Sequence, residues 1–314
     1  AKGGEGHSAV ALKVPTLAER MKIEWPTSRA VTMSLKPRSA IMMAGKNATA
    51  VTWLSGDGWQ TSSAYGGGRP ELVRFLDQQP FTNDRDKVWD RLLPATAYSG
   101  VDDGVGERPT TGRTTVFPHQ LSGTASGTFE ELWEESPYSD AYLGAMAAAA
   151  VCDFQLGQRG VTDFLGVSFS ATDLVGHSFG PDSHEVQDVL ARLDGTLGTL
   201  LERLDAEVGR DGYVLALSAD HGVATVPEAA RATGQSAGRV PLGAVRDTVD
   251  KALAALGTGP HVARAEYTQV YLTRQARAQA TAATMAPAIA GLRAMPGILA
   301  AVWNGDLDAP NAAV

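Results

Sequence analysis

Cysteine is nearly absent. Cys152, in the alanine-rich run AMAAAAVCDF, is the only one. No intrachain disulfide is possible, so cysteine usage does not identify a redox compartment. The residue reads as a small packing side chain on a helix rather than a reactive thiol. No apolar run reaches the roughly 18 residues that a membrane-crossing helix requires, which excludes a span of that kind. Positive charge is in deficit, with 27 Lys and Arg against 35 Asp and Glu and a formal net charge of -8. General nucleic-acid binding needs a basic face, so that class is set aside. A small phosphate-bearing substrate stays open, because a bound metal reverses the local field. There is no internal repeat or low-complexity tract despite 34 glycines and 16 prolines. The opening AKGGEGHSAV has no basic-then-apolar leader. The protein is therefore either cytosolic or has a leader removed, and we favour removal or truncation.

What is present is ordinary globular composition: 314 residues, 44% hydrophobic and 20% charged, enough for one large core or two domains. PTLAERMKIEW (15–25) predicts a helix with Pro15 suited to its first turn. RAVTMSLK (29–36) and ATAVTWLS (48–55) predict strands, GDGWQTSSAYGGG (56–68) a turn-rich loop and PELVRFLDQQ (70–79) a short helix. Residues 80–138 carry much Pro, Gly, Asp and Thr without periodicity and read as an inserted loop or cap. A helix follows at 139–157 by its alanine content, then a strand-length apolar run, DFLGVSFS (163–170). Val186, Val189, Leu190, Leu193, Leu197, Leu200, Leu201 and Leu204 recur at spacings of three and four, a helical apolar stripe. GYVLALSAD (212–220) predicts a second buried strand. A helix near 241–256, a strand within 261–273, a helix near 275–294 and a strand at 297–303 complete the chain. Alternating helices and apolar runs predict an α/β fold, a mostly parallel central sheet flanked by helices with an irregular inserted cap, as one domain over 1–314.

Two acid–histidine pairs stand at two predicted strand ends. Asp173 and His177, in SFSATDLVGHSFG, lie just past 163–170. Asp220 and His221, in LSADHG, close the 212–220 run. Ligands of open α/β sheets collect beyond the carboxyl ends of strands, and one strand–helix–strand connection makes these two strands expected neighbours. Each pair has a plain alternative: a turn uses the acid and a core hides the histidine. Occurring together at equivalent places they favour a metal site, since carboxylate oxygen and imidazole nitrogen form a mixed set that zinc accepts.

DLVGH followed by FGP, then SADHG after one long helix and one strand, resemble the alkaline phosphatase superfamily, in its nucleotide pyrophosphatase/phosphodiesterase-like branch. That resemblance implies that Asp173 and His177 bind one zinc and Asp220 and His221 a second. SLKPRSAI (34–41) is similar to the SLKxR stretch of the branch's bacterial zinc alkaline phosphatases with a threonine nucleophile. Lys36 and Arg38 are then expected to reach the non-bridging oxygens of a terminal phosphoryl group; two extra cations suit a dianionic monoester better than a diester. The implied activity is hydrolysis of small phosphate monoesters through a covalent phospho-enzyme, with one zinc activating the hydroxyl and the other stabilising the leaving oxygen. The implied location is the periplasm or outside the cell.

Three features of the family pattern are not found in the sequence. Its first Asp ligand and its threonine or serine nucleophile precede the segment matching LKVPTLAERMK, where only AKGGEGHSAVA stands. A third histidine for the first zinc normally follows near the C-terminus, and none follows His261. His7, His119, His184 and His261 lack the family context as substitutes, and His119 and His184 read as surface residues. The expectation is a domain incomplete at both ends, with no assignable nucleophile. The alternatives are a phosphodiesterase or nucleotide pyrophosphatase on the same scaffold and a non-catalytic metal-binding relative. A sulfatase needs a cysteine or serine motif that Cys152 does not supply, and nothing favours a manganese-dependent sugar-phosphate mutase. On this reading the 314 residues alone turn over phosphate esters weakly or not at all; robust turnover in a phosphatase assay contradicts it.

Overall fold

The runs AVTMS and AVTWLS become adjacent, almost wholly buried strands in the computed structural model, which describes residues 7–56, 58–66, 70–109, 112–123 and 127–306. Contacts cluster into two units, Ala1–Val226 and Pro227–Val314, where the sequence predicts one domain. In chain order the first contains α1 (Leu17–Glu24), β1 (Ala30–Ser34), α2 (Pro37–Ala44), β2 (Ala50–Ser55), β3 (Gly58–Gln60), α3 (Pro70–Gln78), β4 (Val88–Trp89), β5 (His119–Gln120), α4 (Phe129–Glu134), α5 (Pro137–Asp153), β6 (Phe164–Ser168), α6 (Ala171–Phe179) and α7 (His184–Glu207). The second contains α8 (Pro227–Ala232), α9 (Leu242–Ala252), the hairpin β7 (Val262–Glu266) and β8 (Gln269–Leu272), α10 (Arg274–Ala278) and α11 (Ala282–Arg293).

The main sheet has the order β3-β2-β1-β6. β2, β1 and β6 are parallel, and β3 turns back against β2. This is the expected mostly parallel sheet flanked by helices. Successive side chains of a strand point to opposite faces. Val31, Met33 and Ala50 therefore pack with Leu143, Met146, Ala147 and Ala150 of α5 and Leu200 of α7. Val51 and Trp53 pack on the other face with Ala40, Ile41 and Ala44 of α2. The β1–β6 register sets Ser34 opposite Ser168, so the two carboxyl ends finish level. At α1, Thr16 is the cap and forms a capping box with Glu19; Pro15 therefore precedes the cap instead of entering the first turn.

Two predicted strands do not form. Residues 212–220 and 297–303 have no strand, although the first is as apolar as β1. A strand exists through its ladder partner, and an apolar run alone does not supply one. β6 is the edge of its sheet, and Val214 (97% exposed) and Leu217 (76%) lie open to solvent. Leu299 is likewise fully exposed.

The 80–138 segment is tied down by buried polar contacts. Asp188 of α7 accepts from Trp89 Nε1 (2.7 Å), Leu92 N (2.6 Å), Tyr98 Oη (2.5 Å) and Arg192 Nε (2.6 Å). His119 and His184, expected at the surface, are both buried. His119 Nε2 lies 2.8 Å from Glu185 Oε1, and His184 Nδ1 lies 3.4 Å from Asp102 Oδ1. His119 buries against the Glu185 carboxylate, whereas His184 Nδ1 accepts from Arg91 Nη2 (3.2 Å); both partners are too distant in the chain for local pattern to reveal. Burial pushes the Glu107 carboxyl up to about 8, helped by the charge of Glu185; burial also raises Glu185 to about 7 and lowers His119 to about 4.

The sign for Glu107 follows from linkage. A raised carboxyl pKa contributes stability that is complete below the ordinary carboxylate range and is lost as pH rises through about 8. Glu107→Gln removes that loss. Thermal unfolding across neutral to mildly alkaline pH is expected to show the variant's Tm falling less steeply than the parent's. Parallel profiles contradict this account of Glu107.

Candidate functional site

β1 and β6 deliver the chemistry to one end of the sheet. Ser34 Oγ donates to Ser168 O (3.1 Å) and accepts from Lys36 N (3.1 Å), which locks the two strand ends together and sets where Lys36 emerges. Lys36 is the cap residue of α2, with Pro37 next to it in the first turn. Proline starts a helix well, because its missing N–H has no intrahelical partner at that position. Arg38 follows on the same turn and is exposed.

Beyond β6 the chain makes a helix where the sequence pattern assigns no element. In α6, Asp173 lies in the first turn and His177 in the last. Both placements suit the helix dipole, and a spacing of four puts them on one face. Gly180, at φ 89°, closes the helix in a conformation that favours glycine.

Asp173 is the centre of the constellation. Lys36 Nζ lies 2.5 Å from Asp173 Oδ2. His177 Nε2 is 3.4 Å and His221 Nε2 3.9 Å from Asp173 Oδ1. Burial alone would raise the Asp173 carboxyl; the hydrogen bond and charge of Lys36, with His177 and His221, bring it below its ordinary value. His221 Nδ1 lies 3.0 Å from the Gly222 carbonyl. A carbonyl only accepts, so the proton of the neutral ring is assigned to Nδ1, leaving a lone pair on Nε2. Asp220 Oδ2 is 3.6 Å from His221 Nε2, and its side chain is 87% exposed. The structure thus gathers Lys36, Asp173, His177 and His221, with Asp220 at the margin. It does so although residues 212–220 form no strand.

The remaining histidines do not join them. His119 is held by Glu185 and His184 by Arg91, His7 stands edge-on to Trp53, and His261 belongs to the second unit. Glu134, which sequence reasoning passed over, has its carboxyl raised by burial and by the charge of Glu131, and Lys36 is near enough to offset part of that. A groove of about 640 Å³ lined by Arg74, Gln78, Cys152, Thr199 and Arg203 lies on α3, α5 and α7 and contains none of the constellation.

Among the described residues no group of three or more His, Cys, Asp or Glu is arranged to hold a metal ion. The donor chemistry nevertheless fits one. An ionised carboxylate already has an ammonium against it, a stand-in for positive charge, and two imidazole nitrogens lie within 4 Å of the same carboxylate.

The sequence profile of the type I phosphodiesterase / nucleotide pyrophosphatase family matches residues 37–313. The chain belongs to this family. A protein named calcium-transporting ATPase from Myroides odoratus is 34% identical over 241 residues, 73% of this chain and 44% of its own length. Alkaline phosphatase PafA of Elizabethkingia meningoseptica is 35% identical over 204 residues, 63% of this chain and 37% of its own. The crystal structure of wild-type alkaline phosphatase PafA superposes with a TM-score of 0.82 at 28% identity, over 92% of this chain and 57% of that one. The chain therefore spans less than half the length of these curated relatives.

Proposed function

We propose that this chain carries the metal- and phosphate-binding residues of a zinc-dependent phosphomonoesterase. The observation that supports this best is the convergence of Lys36, His177 and His221 on the Asp173 carboxylate, each within 4 Å. Asp173 and His177 would hold one zinc ion, and Asp220 and His221 a second. Bound there, zinc would stabilise negative charge on phosphoryl oxygens and lower the pKa of a hydroxyl or water.

The chain's own residues have distinct parts to play. Asp173 stays ionised at neutral pH because Lys36 depresses its pKa. His221 presents Nε2 because Gly222 holds Nδ1. Lys36, the cap of α2, and Arg38, in its first turn, supply positive charge for the non-bridging oxygens of a small phosphate ester. The covalent phospho-enzyme implied by the resemblance needs a threonine hydroxyl, and we assign that role to no residue of this sequence. A phosphodiesterase or nucleotide pyrophosphatase is the second reading, favoured by the family profile itself. We place the protein in the periplasm or outside the cell by family resemblance. No helix among the described residues is long and apolar enough to cross a membrane.

Charge separates the two substrate classes. Inorganic phosphate approaches a dianion at alkaline pH, whereas dimethyl phosphate is a monoanion. Calorimetric titration of the zinc-loaded chain is expected to show Lys36→Ala and Arg38→Ala each weakening phosphate by about tenfold or more, the loss of a charge-assisted hydrogen bond. Dimethyl phosphate should lose less. Equal losses for both ligands contradict the monoester assignment.

A further inference from the structure

We propose that Asp140 is a positioning residue that sets the placement of α6 and, through it, of Asp173 and His177. The inference rests on reading those two residues as metal ligands. Asp140 stands in the first turn of α5 and is 2% exposed. Its Oδ1 accepts from Ser170 N (2.9 Å) and Ala171 N (3.2 Å), the opening amides of α6. Those amides have no intrahelical acceptor, and a cap side chain does not reach them, because it accepts from the amides two or three residues further on.

Ser170 occupies the cap position and is a preferred residue type there, yet it makes no side-chain cap bond. Its Oγ lies 3.4 Å from the Ser168 carbonyl instead. That same carbonyl receives Ser34 Oγ at 3.1 Å. The end of β1, the end of β6 and the start of α6 are thus tied together, and Asp140 fastens the last of these to α5.

The arrangement is costly for a mere cap. The Asp140 carboxyl is buried, and burial holds it up at about 6 even against its two amide bonds. Its Oδ2 finds no hydrogen-bond partner. A buried carboxylate with an orphan oxygen is a costly way merely to stop a helix end fraying, because the unpartnered oxygen carries its full desolvation penalty. What Asp140 adds is placement from outside the helix. Each residue of an α-helix turns by about 100°, so a one-residue slip of α6 would carry Asp173 and His177 off the face that meets Lys36 and His221. Fixing the amides of 170 and 171 fixes both the rotation and the axial position of the turn bearing Asp173.

The test uses the 314-residue chain with Asp140→Ala, Asp140→Ser and Asp140→Asn. Zinc affinity is measured by competition with a chromophoric chelator, and the cobalt(II) absorption spectrum reports coordination. Both are recorded below the melting temperature followed by circular dichroism. The alanine and serine variants are expected to lose about 10- to 100-fold in zinc affinity, as outer-shell changes do, and to shift the cobalt bands. Asparagine keeps an acceptor for the two amides and is expected to restore most of the affinity. If alanine does not fold, serine against asparagine decides. Unchanged affinity and spectrum in the alanine or serine variant, with only Tm lowered, overturns the positioning role. Asp173→Ala is the parallel control. If that variant binds zinc as tightly as the parent chain, the ligand reading itself fails; if it weakens while the Asp140 variants do not, the positioning inference alone fails.

Discussion

The parallel ladder between β1 and β6 is the constraint on which the site depends. It pairs Ala30–Ser34 with Phe164–Ser168 residue by residue. Two segments more than a hundred residues apart in sequence therefore end at the same height. Just past those ends the chain offers a lysine on one side and an aspartate on the other, and the ion pair between them forms across that level edge. A one-residue slip of the register would turn every β6 side chain to the opposite face. It would also separate Lys36 from Asp173. Burial of Val31 and Met33 against α5 fixes that register, so packing in the core and geometry at the edge are one problem.

The electrostatics follow from this closeness. A carboxylate at a half-buried position tends to hold its proton, and Asp173 does not because a cation sits against it. Histidines at 177 and 221 add to the same field. Elsewhere in the first unit burial prevails: it raises Glu107 to about 8 and Glu185 to about 7, the latter in spite of His184 and Arg91 nearby. One fold thus lowers the pKa of an acid at its proposed site and raises those of Glu107 and Glu185 in its packing. The difference is set by which partner each acid meets.

Much of this was legible in the sequence, and what was not has identifiable physical causes. The strands at 30–34, 50–55 and 164–168 showed as apolar runs, and the 184–207 helix as a leucine stripe. Lys36, Asp173, His177, Asp220 and His221 were picked out by motif, and the structure brings them together, with their roles still to be tested. α6 was missed because ATDLVGHSF has weak helical propensity and a glycine near its end. Its first amides are satisfied by Asp140, 30 residues upstream, a contact no local pattern records. The 212–220 run was overread because apolar periodicity reports a wish for burial and does not name the neighbour that would grant it. His119 and His184 were misplaced for the converse reason: their partners, Glu185 and Arg91, lie 66 and 93 residues away.

The central claim is that Asp173 anchors a divalent cation beside Lys36, and diffraction locates such an ion directly. Crystals grown with saturating zinc, measured on both sides of the zinc absorption edge, should give an anomalous peak at about 2.0–2.2 Å from a carboxylate oxygen of Asp173, the ordinary zinc–oxygen distance, with an imidazole nitrogen of His177 in the same shell. An anomalous peak bound elsewhere, or none at this carboxylate with Lys36 still paired to it, would contradict the account.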